Sequence, residues 1–147
     1  MTVLNHTVDL ALGTADTNYP DEFSTYMVQG LGSQQLQPMF VTDRPIWIDS
    51  FSYRFSVAAT DADGVTHAIG AVPNGVGNTQ AGSYLKTETI TGDGAGGNML
   101  ANICYTGKGL PNGGNYAPAG SMICFVQTAA IDQAAGVLTI RYRTRPA

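Results

Sequence analysis

A chain of 147 residues, of which 44% are hydrophobic, has the size and composition of a single domain whose core needs no metal or disulfide. Its net charge of −4 argues against the basic face that proteins use to bind nucleic acid non-specifically. No stretch approaches the roughly 18 apolar residues of a membrane span, and the first residues lack the basic and apolar regions of a secretory signal. We therefore expect no nucleic-acid partner and no membrane association.

The surface predicted from this composition is unusually neutral. Charged residues make up 12% of the chain, against about 25% in an ordinary globular domain. A surface of Thr, Ser, Asn, Gln, Ala and Gly can be covered by another protein without removing many ions from water. A turn-rich β-sandwich with a neutral exterior explains the same composition equally well.

The N-terminal part of the chain is the least regular. Val3–Leu12 predicts a first strand, and the loop-like segment Gly13–Pro38 contains a short helix or strand at Phe23–Gln29. Long loops without structure of their own are uncommon in compact domains and are often functional, so this segment is a candidate for partner contact. A loop laid over the edge of the sandwich is the equal alternative. The aromatic residues available for such a contact are Tyr19, Phe23 and Tyr26.

The longest predicted strand, Ile46–Ala59, contains the sequence WIDSFSYRFSV, in which two sets of residues alternate. Successive side chains of a strand point to opposite faces, so a period of two separates a buried face from an exposed one. The predicted buried set is Trp47, Phe51, Tyr53, Phe55 and Val57, and the opposite set is Ile48, Ser50, Ser52, Arg54 and Ser56. This assignment makes Trp47 unavailable to a ligand.

Short strands between Gly- and Asn-rich turns account for the rest of the chain. They are predicted at Pro38–Val41, His67–Val72, Tyr84–Ile90, Met99–Tyr105, Ser121–Thr128 and Val137–Thr144, with a hairpin turn at Asp61–Gly64. A total of about eight strands predicts two packed sheets. The fold prediction is an all-β, jelly-roll β-sandwich over residues 37–147, preceded in residues 1–36 by a strand and an irregular arm of the same domain.

The last predicted strand carries three arginines at alternate positions, Arg141, Arg143 and Arg145. An extended backbone places all three on one face. An ordinary solvated strand face explains this pattern. A docking stripe for an acidic partner surface explains it as well, because arginine is favoured at interfaces.

The sequence offers no motif for catalysis, a cofactor or a metal. Gly92–Gly97 satisfies the dinucleotide pattern G-x-G-x-x-G, but β-prone residues follow where a helix should begin, so the segment predicts a turn. The two histidines, His6 and His67, have no nucleophile elbow or zinc-ligand spacing beside them. We expect no enzyme activity, and we expect Cys104 and Cys124 to be buried, reduced thiols, with a bridge between them left open.

The region from Ile46 to Pro146 resembles the small jelly-roll proteins that decorate the capsids of tailed bacteriophages, and related virion modules. The matching segments are WIDSFSYRFSV, HAIGAVPNG, PAGSMICFVQT and VLTIRYRTRP. The resemblance implies a non-enzymatic protein, commonly a homotrimer, that is assembled in the host cytoplasm. It would bind the major capsid protein on the outside of the shell and reinforce it.

Two alternatives stay open. One is a tail, neck or fibre module of the virion, and the other is a carbohydrate-binding β-sandwich that stacks sugars on aromatic side chains. The aromatic candidates for the second role are Trp47, Tyr84, Tyr105 and Tyr116. The predicted burial of Trp47 argues against it.

Overall fold

The computed structural model describes residues 21–28, 36–56, 65–76, 84–127 and 135–145. Within these residues the chain forms nine β-strands and a three-residue 3₁₀ turn at Ala95–Gly97. The strands are β1 (Asp21–Val28), β2 (Leu36–Val41), β3 (Ile46–Phe55), β4 (Thr66–Val72), β5 (Ile90–Thr91), β6 (Cys104–Lys108), β7 (Tyr116–Ala117), β8 (Met122–Gln127) and β9 (Ala135–Arg143).

The strands form two antiparallel sheets. The first sheet has the order β1-β9-β3-β6, with β7 also paired to β3, and the second has the order β2-β8-β4-β5. The prediction of an all-β sandwich is confirmed. Among the described residues, no helix has the length and apolar character needed to cross a bilayer.

The core lies between the two sheets and is rich in aromatic rings. Tyr53 of β3 packs against Phe51, Phe55, Tyr105 and Phe125 at ring-centroid distances between 5.4 and 5.7 Å. Burial of one large apolar side chain contributes about 1.5–3 kcal/mol, so this cluster is a main source of stability. The largest fully buried side chains are Tyr53, Phe51, Phe55, Phe125, Ile48, Ile69, Met99, Ile123, Leu138 and Ile140.

The central strands of the second sheet are buried on both faces. In β8, Ile123 and Phe125 belong to the main core, whereas Cys124 and Val126 form a second apolar cluster with Val72 of β4. A strand that is covered on both faces has no polar face, which explains the continuous apolar run MICFV.

Strands β2, β3, β4, β8 and β9 lie where strands were predicted. The prediction at Met99–Tyr105 was wrong in its first half, because Ala101 and Asn102 form a turn in which Asn102 has φ 61°. The N–H of Asn102 donates to the carbonyl of Phe55 at 2.7 Å, which ties this turn to the end of β3.

The segment Tyr84–Ile90 forms less strand than predicted. It makes isolated bridges, Leu85 with Gly70 and Thr87 with Gly109, before the two-residue β5. Thr87 explains part of this irregularity, because its hydroxyl accepts a hydrogen bond from the N–H of Ile69 at 2.9 Å. In a regular strand pair, a backbone carbonyl would be the acceptor of this bond. The short β7 was not predicted.

The N-terminal predictions are described only in part. β1 overlaps Phe23–Gln29, so the strand alternative holds there, and it pairs with β9 along its whole length. The predicted strand Val3–Leu12 and the predicted turn Asp61–Gly64 lie outside the described residues.

Candidate functional site

The outer face of the first sheet, which is turned away from the core, carries alternate residues of β3, β6 and β9. Short hydroxyl side chains occupy its middle, and cationic side chains lie around them. Short side chains in the middle of the face allow another molecule to approach closely. The members of the outer face are Ser50, Ser52 and Arg54 of β3, Cys104, Thr106 and Lys108 of β6, and Val137, Thr139, Arg141 and Arg143 of β9.

A β-bulge at Asp49 decides which residues of β3 face outward. The pairing of β3 with β9 shifts register between Ile48 and Ser50. Ile48 and Phe51 are both fully buried, although they differ in parity. Trp47 therefore lies on the outer face and is only partly buried. The prediction that buries Trp47 together with Phe51 was wrong, because one extra residue in a strand reverses the alternation of its side chains.

Asp49, the extra residue of the bulge, binds Arg143 of the neighbouring strand. Nε of Arg143 donates to Oδ1 and Oδ2 of Asp49 at 2.9 and 2.7 Å, and Nη2 donates to Oδ1 at 2.6 Å. This hydrogen bonding raises the pKa of Arg143. The side chain of Asp49 is 28% exposed and that of Arg143 is 16% exposed, so both are within reach of a ligand. Such charge-assisted, forked pairs have a fixed geometry.

Trp47 lies between two residues of neighbouring strands, Arg143 of β9 and Tyr116 of β7. The rings of Trp47 and Tyr116 are 5.1 Å apart at their centroids and inclined by 51°, and Tyr116 is 37% exposed. Asn115 fixes this end of β3, because its Nδ2 donates to the carbonyl of Ile48 at 2.8 Å. We call Trp47, Asp49, Tyr116 and Arg143 the Trp47 cluster.

The structure divides the predicted arginine stripe. Arg141 is exposed in the outer face, Arg143 belongs to the Trp47 cluster, and Arg145 is exposed beyond the end of β9. Two further cations that the stripe did not include, Arg54 and Lys108, are exposed on the same face. Arg54 was assigned to the polar parity of β3, but only the pairing of β3 with β6 and β9 shows that the four cations share one face.

The predicted aromatic contacts of the N-terminal segment are only partly located. Tyr19 lies outside the described residues. In the pairing of β1 with β9, Phe23 stands at the register position opposite Ile140, and Tyr26 stands opposite Val137. These positions put both residues in the first sheet, beside the strand that carries Arg141 and Arg143.

His67, one of the two histidines considered for catalysis, is 1% exposed in the core. Its Nε2 lies 3.1 Å from Oε1 of Gln127, and its Nδ1 lies 3.1 Å from the hydroxyl of Tyr53. Because an amide oxygen only accepts, Nε2 carries the proton, and Nδ1 is the acceptor nitrogen that faces the Tyr53 hydroxyl. Burial lowers the pKa of His67 to about 4, so the ring is neutral at pH 7, and it has no access to a substrate in solvent. His6 lies outside the described residues.

Both cysteines are free, but they differ in exposure. Cys124 is buried as predicted, and burial raises its pKa to about 11. The prediction that Cys104 is buried was wrong, because its pairing with Arg54 puts it on the outer face. The two thiols lie in different sheets.

The glycine-rich segment forms a turn, as predicted. Gly94 and Gly97 are joined by a backbone hydrogen bond of 3.0 Å across the 3₁₀ turn, and β6 follows where a nucleotide site would have a helix. Asp93 in this segment accepts a hydrogen bond of 2.6 Å from the hydroxyl of Tyr105. In the part of the chain that the structure describes, no group of three or more His, Cys, Asp or Glu side chains could hold a metal ion.

Comparison with known proteins found little. No family model matches the chain, and no curated protein matches it. Among solved structures, the SPBc2 prophage-derived protein YomS is similar over 84% of this chain and 94% of its own, with 12% sequence identity and a TM-score of 0.39. A likeness at this level assigns no function to the chain.

Proposed function

We propose that this protein is a structural protein of a tailed-bacteriophage virion, which binds the outer surface of the capsid as a non-enzymatic decoration protein. The observation that carries the proposal is the concentration of positive charge on the outer face. Four of the seven basic residues, Arg54, Lys108, Arg141 and Arg143, lie there in a chain with a net charge of −4. Such a face fits an acidic patch on another protein.

The order of the strands supports the jelly-roll assignment that the sequence resemblance implies. When the two-residue β7 is set aside, β1-β9-β3-β6 faces β2-β8-β4-β5. The first four strands lie alternately in the first and the second sheet. β5 stays in the second sheet beside β4, and β6, β8 and β9 then alternate between the sheets again. We infer two nested Greek keys wound into a jelly roll.

Not every cation of the face contributes equally to the proposed docking. Arg143 is neutralised by Asp49, and Glu22 stands opposite Arg141 in the pairing of β1 with β9. Arg54 and Lys108 are therefore the sharper test. They flank the hydroxyl side chains of Ser50, Ser52 and Thr106, which are short enough to let a partner surface approach both cations.

The test measures co-sedimentation with shells assembled from the major capsid protein of the same genome. Arg54→Gln with Lys108→Gln should lower shell occupancy roughly three- to tenfold at low salt. The control, Arg44→Gln with Lys86→Gln, removes the same charge from outside this face and should bind like the parent protein. Absence of binding by the parent protein, or an equal effect of both pairs, would contradict the proposal.

The location in the virion needs a separate experiment. Antibody labelling of intact virions in the electron microscope should decorate the whole shell if the protein is a capsid decoration protein. Labels confined to the tail, neck or fibres would place the protein in one of those modules instead of on the capsid. The proposal that it is a structural protein of the virion would still hold.

We also propose that the protein self-associates as a homotrimer. Because charged residues make up only 12% of the chain, its surface loses little ion hydration when it is covered, and a capsid offers symmetric sites at which weak contacts add through avidity. Sedimentation equilibrium of the free protein should give three times the mass of one chain, and a concentration-independent monomer would contradict this part.

A further inference from the structure

The Trp47 cluster combines features that a plain solvated sheet surface does not need. The bulge at Asp49 turns Trp47 out of the core, whereas an uninterrupted strand with Phe51 and Tyr53 inside would have buried it. Bulges of this kind often lie beside binding and active sites, where they redirect a side chain. Here the redirected side chain is the chain's single tryptophan.

The polar half of the cluster is joined by hydrogen bonds and electrically balanced. Asp49 and Arg143 hold each other through three contacts of 2.6 to 2.9 Å, and each keeps part of its side chain exposed. A guanidinium group has five N–H donors and a carboxylate has about four lone-pair positions, so both retain capacity for a ligand. An anion would compete with Asp49 for Arg143, and a cation would compete with Arg143 for Asp49. The pair is therefore best matched by a neutral ligand that both donates and accepts hydrogen bonds.

The aromatic half of the cluster lies directly beside this pair. Trp47 is the register partner of Arg143, and Tyr116 is the partner of Trp47 on its other side. Because the two rings are inclined by 51°, they do not form one flat platform, and a small ring stacks on one of them at a time. A neutral pyranose has this combination of properties, an apolar C–H face together with hydroxyl groups that donate and accept.

We propose that the Trp47 cluster is a binding site for a neutral saccharide. The sugar ring stacks on Tyr116, the more exposed of the two rings, and its hydroxyl groups bind the exposed atoms of Asp49 and Arg143. This site is independent of capsid docking, because it uses the balanced end of the outer face, whereas docking uses Arg54 and Lys108.

The test uses the emission of Trp47, which is the only tryptophan and so reports this site alone. The protein is titrated with a panel of neutral hexoses, N-acetylhexosamines and their short oligomers, with glycerol as a control for solvent effects. At least one saccharide should change the emission in a saturable way, and glycerol should not.

Two variants place the binding at the cluster. Tyr116→Ala and Asp49→Asn, checked for an unchanged circular dichroism spectrum, should weaken the saccharide at least about tenfold, the usual effect of losing a stacking partner or a hydrogen bond to a charged group. Arg54→Gln, on the same face but outside the cluster, should leave it unchanged. If Asp49→Asn unfolds, Tyr116→Ala carries the test, because Tyr116 is a partly exposed side chain.

The outcomes separate this proposal from capsid docking. A panel in which no neutral saccharide saturates the emission would overturn it, as would saccharide binding that survives both variants. Shell binding that persists in Tyr116→Ala together with lost saccharide binding would support two separate sites. Loss of shell binding in the Arg54 and Lys108 variant leaves the saccharide result unaffected.

Discussion

Nε2 of His67 lies 3.1 Å from Oε1 of Gln127, and the two residues are direct partners in the pairing of β4 with β8. Each is only 1% exposed. The imidazole also stacks on Phe125 at a centroid distance of 4.6 Å. The contact with Gln127 selects one tautomer of the neutral ring. Burial penalises the imidazolium and outweighs the hydrogen bond to Gln127, which by itself raises the pKa, so the stability of the protein is linked to the protonation of one core side chain.

We predict that this linkage makes the protein less stable in mild acid. The folded pKa of about 4 lies below the ordinary value of 6.5, so between these pH values the unfolded chain takes up a proton that the folded chain does not. The free energy of unfolding should therefore fall as the pH is lowered from 6.5 to about 4, by about 3 kcal/mol from this group. Urea denaturation at several pH values measures the fall.

The control for this prediction is His67→Gln, which cannot titrate. The variant loses stability at every pH, but that loss cancels when the slopes of stability against pH are compared. The parent protein should show the steeper slope between pH 6.5 and about 4. Equal slopes would show that His67 is not the linked group.

We predict that Gly107→Ala destabilises the fold. Gly107 of β6 is the register partner of Phe51, and a Cβ atom at this position would collide with the buried Phe51 ring. Overpacking of this kind costs about 1–3 kcal/mol. Thr106→Ser, at the neighbouring exposed position, should change stability by about 0.5 kcal/mol or less. Thermal unfolding of both variants measures the difference. A loss of stability in Gly107→Ala alone would indicate a packing effect, and an equal loss in both variants would indicate that β6 is sensitive to any substitution.

The sequence predicted β3 correctly from Phe51 onward and wrongly before it. Ile46 and Ile48 share one parity, and Phe51, Tyr53 and Phe55 share the other. Two apolar sets of opposite parity, separated by the two polar residues Asp49 and Ser50, indicate a bulge, and this signal was present in the sequence. The sequence does not show which strand pairs with β3, and a bulge is defined only against its partner strand.

The candidate site was less predictable than the fold. Arg141 and Arg143 follow from alternation within β9, but the contacts of Arg143 with Asp49 and of Trp47 with Tyr116 join residues far apart in the chain. Alternation within one strand carries no information about which strand lies beside it. The exposure of Cys104 could have been predicted from the sequence. Cys104 and Lys108 have the same parity in β6, whereas Tyr105 and Gly107, of the opposite parity, face inward.

We predict that the hydroxyl of Thr42 stabilises the connection between β2 and β3. It donates to the carbonyl of Pro118 at 2.9 Å and accepts from the N–H of Ser121 at 3.0 Å. Thr42→Val keeps the shape but removes both bonds in a buried position, which should cost about 1–3 kcal/mol. Thr42→Ser keeps both bonds and loses one methyl group, so it should cost about 1 kcal/mol. Chemical denaturation should rank serine above valine, and the reverse order would contradict a hydrogen-bonding role.

We predict that one thiol of the native protein reacts with a maleimide or a disulfide reagent and that the other does not. Cys104 is exposed on the outer face, whereas Cys124 is 0% exposed and burial raises its pKa to about 11. At pH 8 the buried thiol therefore has little thiolate and no access to the reagent.

Mass spectrometry should show one adduct on the native chain and two after denaturation. Cys104→Ser should abolish the native adduct and Cys124→Ser should preserve it, because the difference arises from the sheet face on which each sulfur lies. Equal reaction of both thiols in the native state would contradict the placement of Cys124.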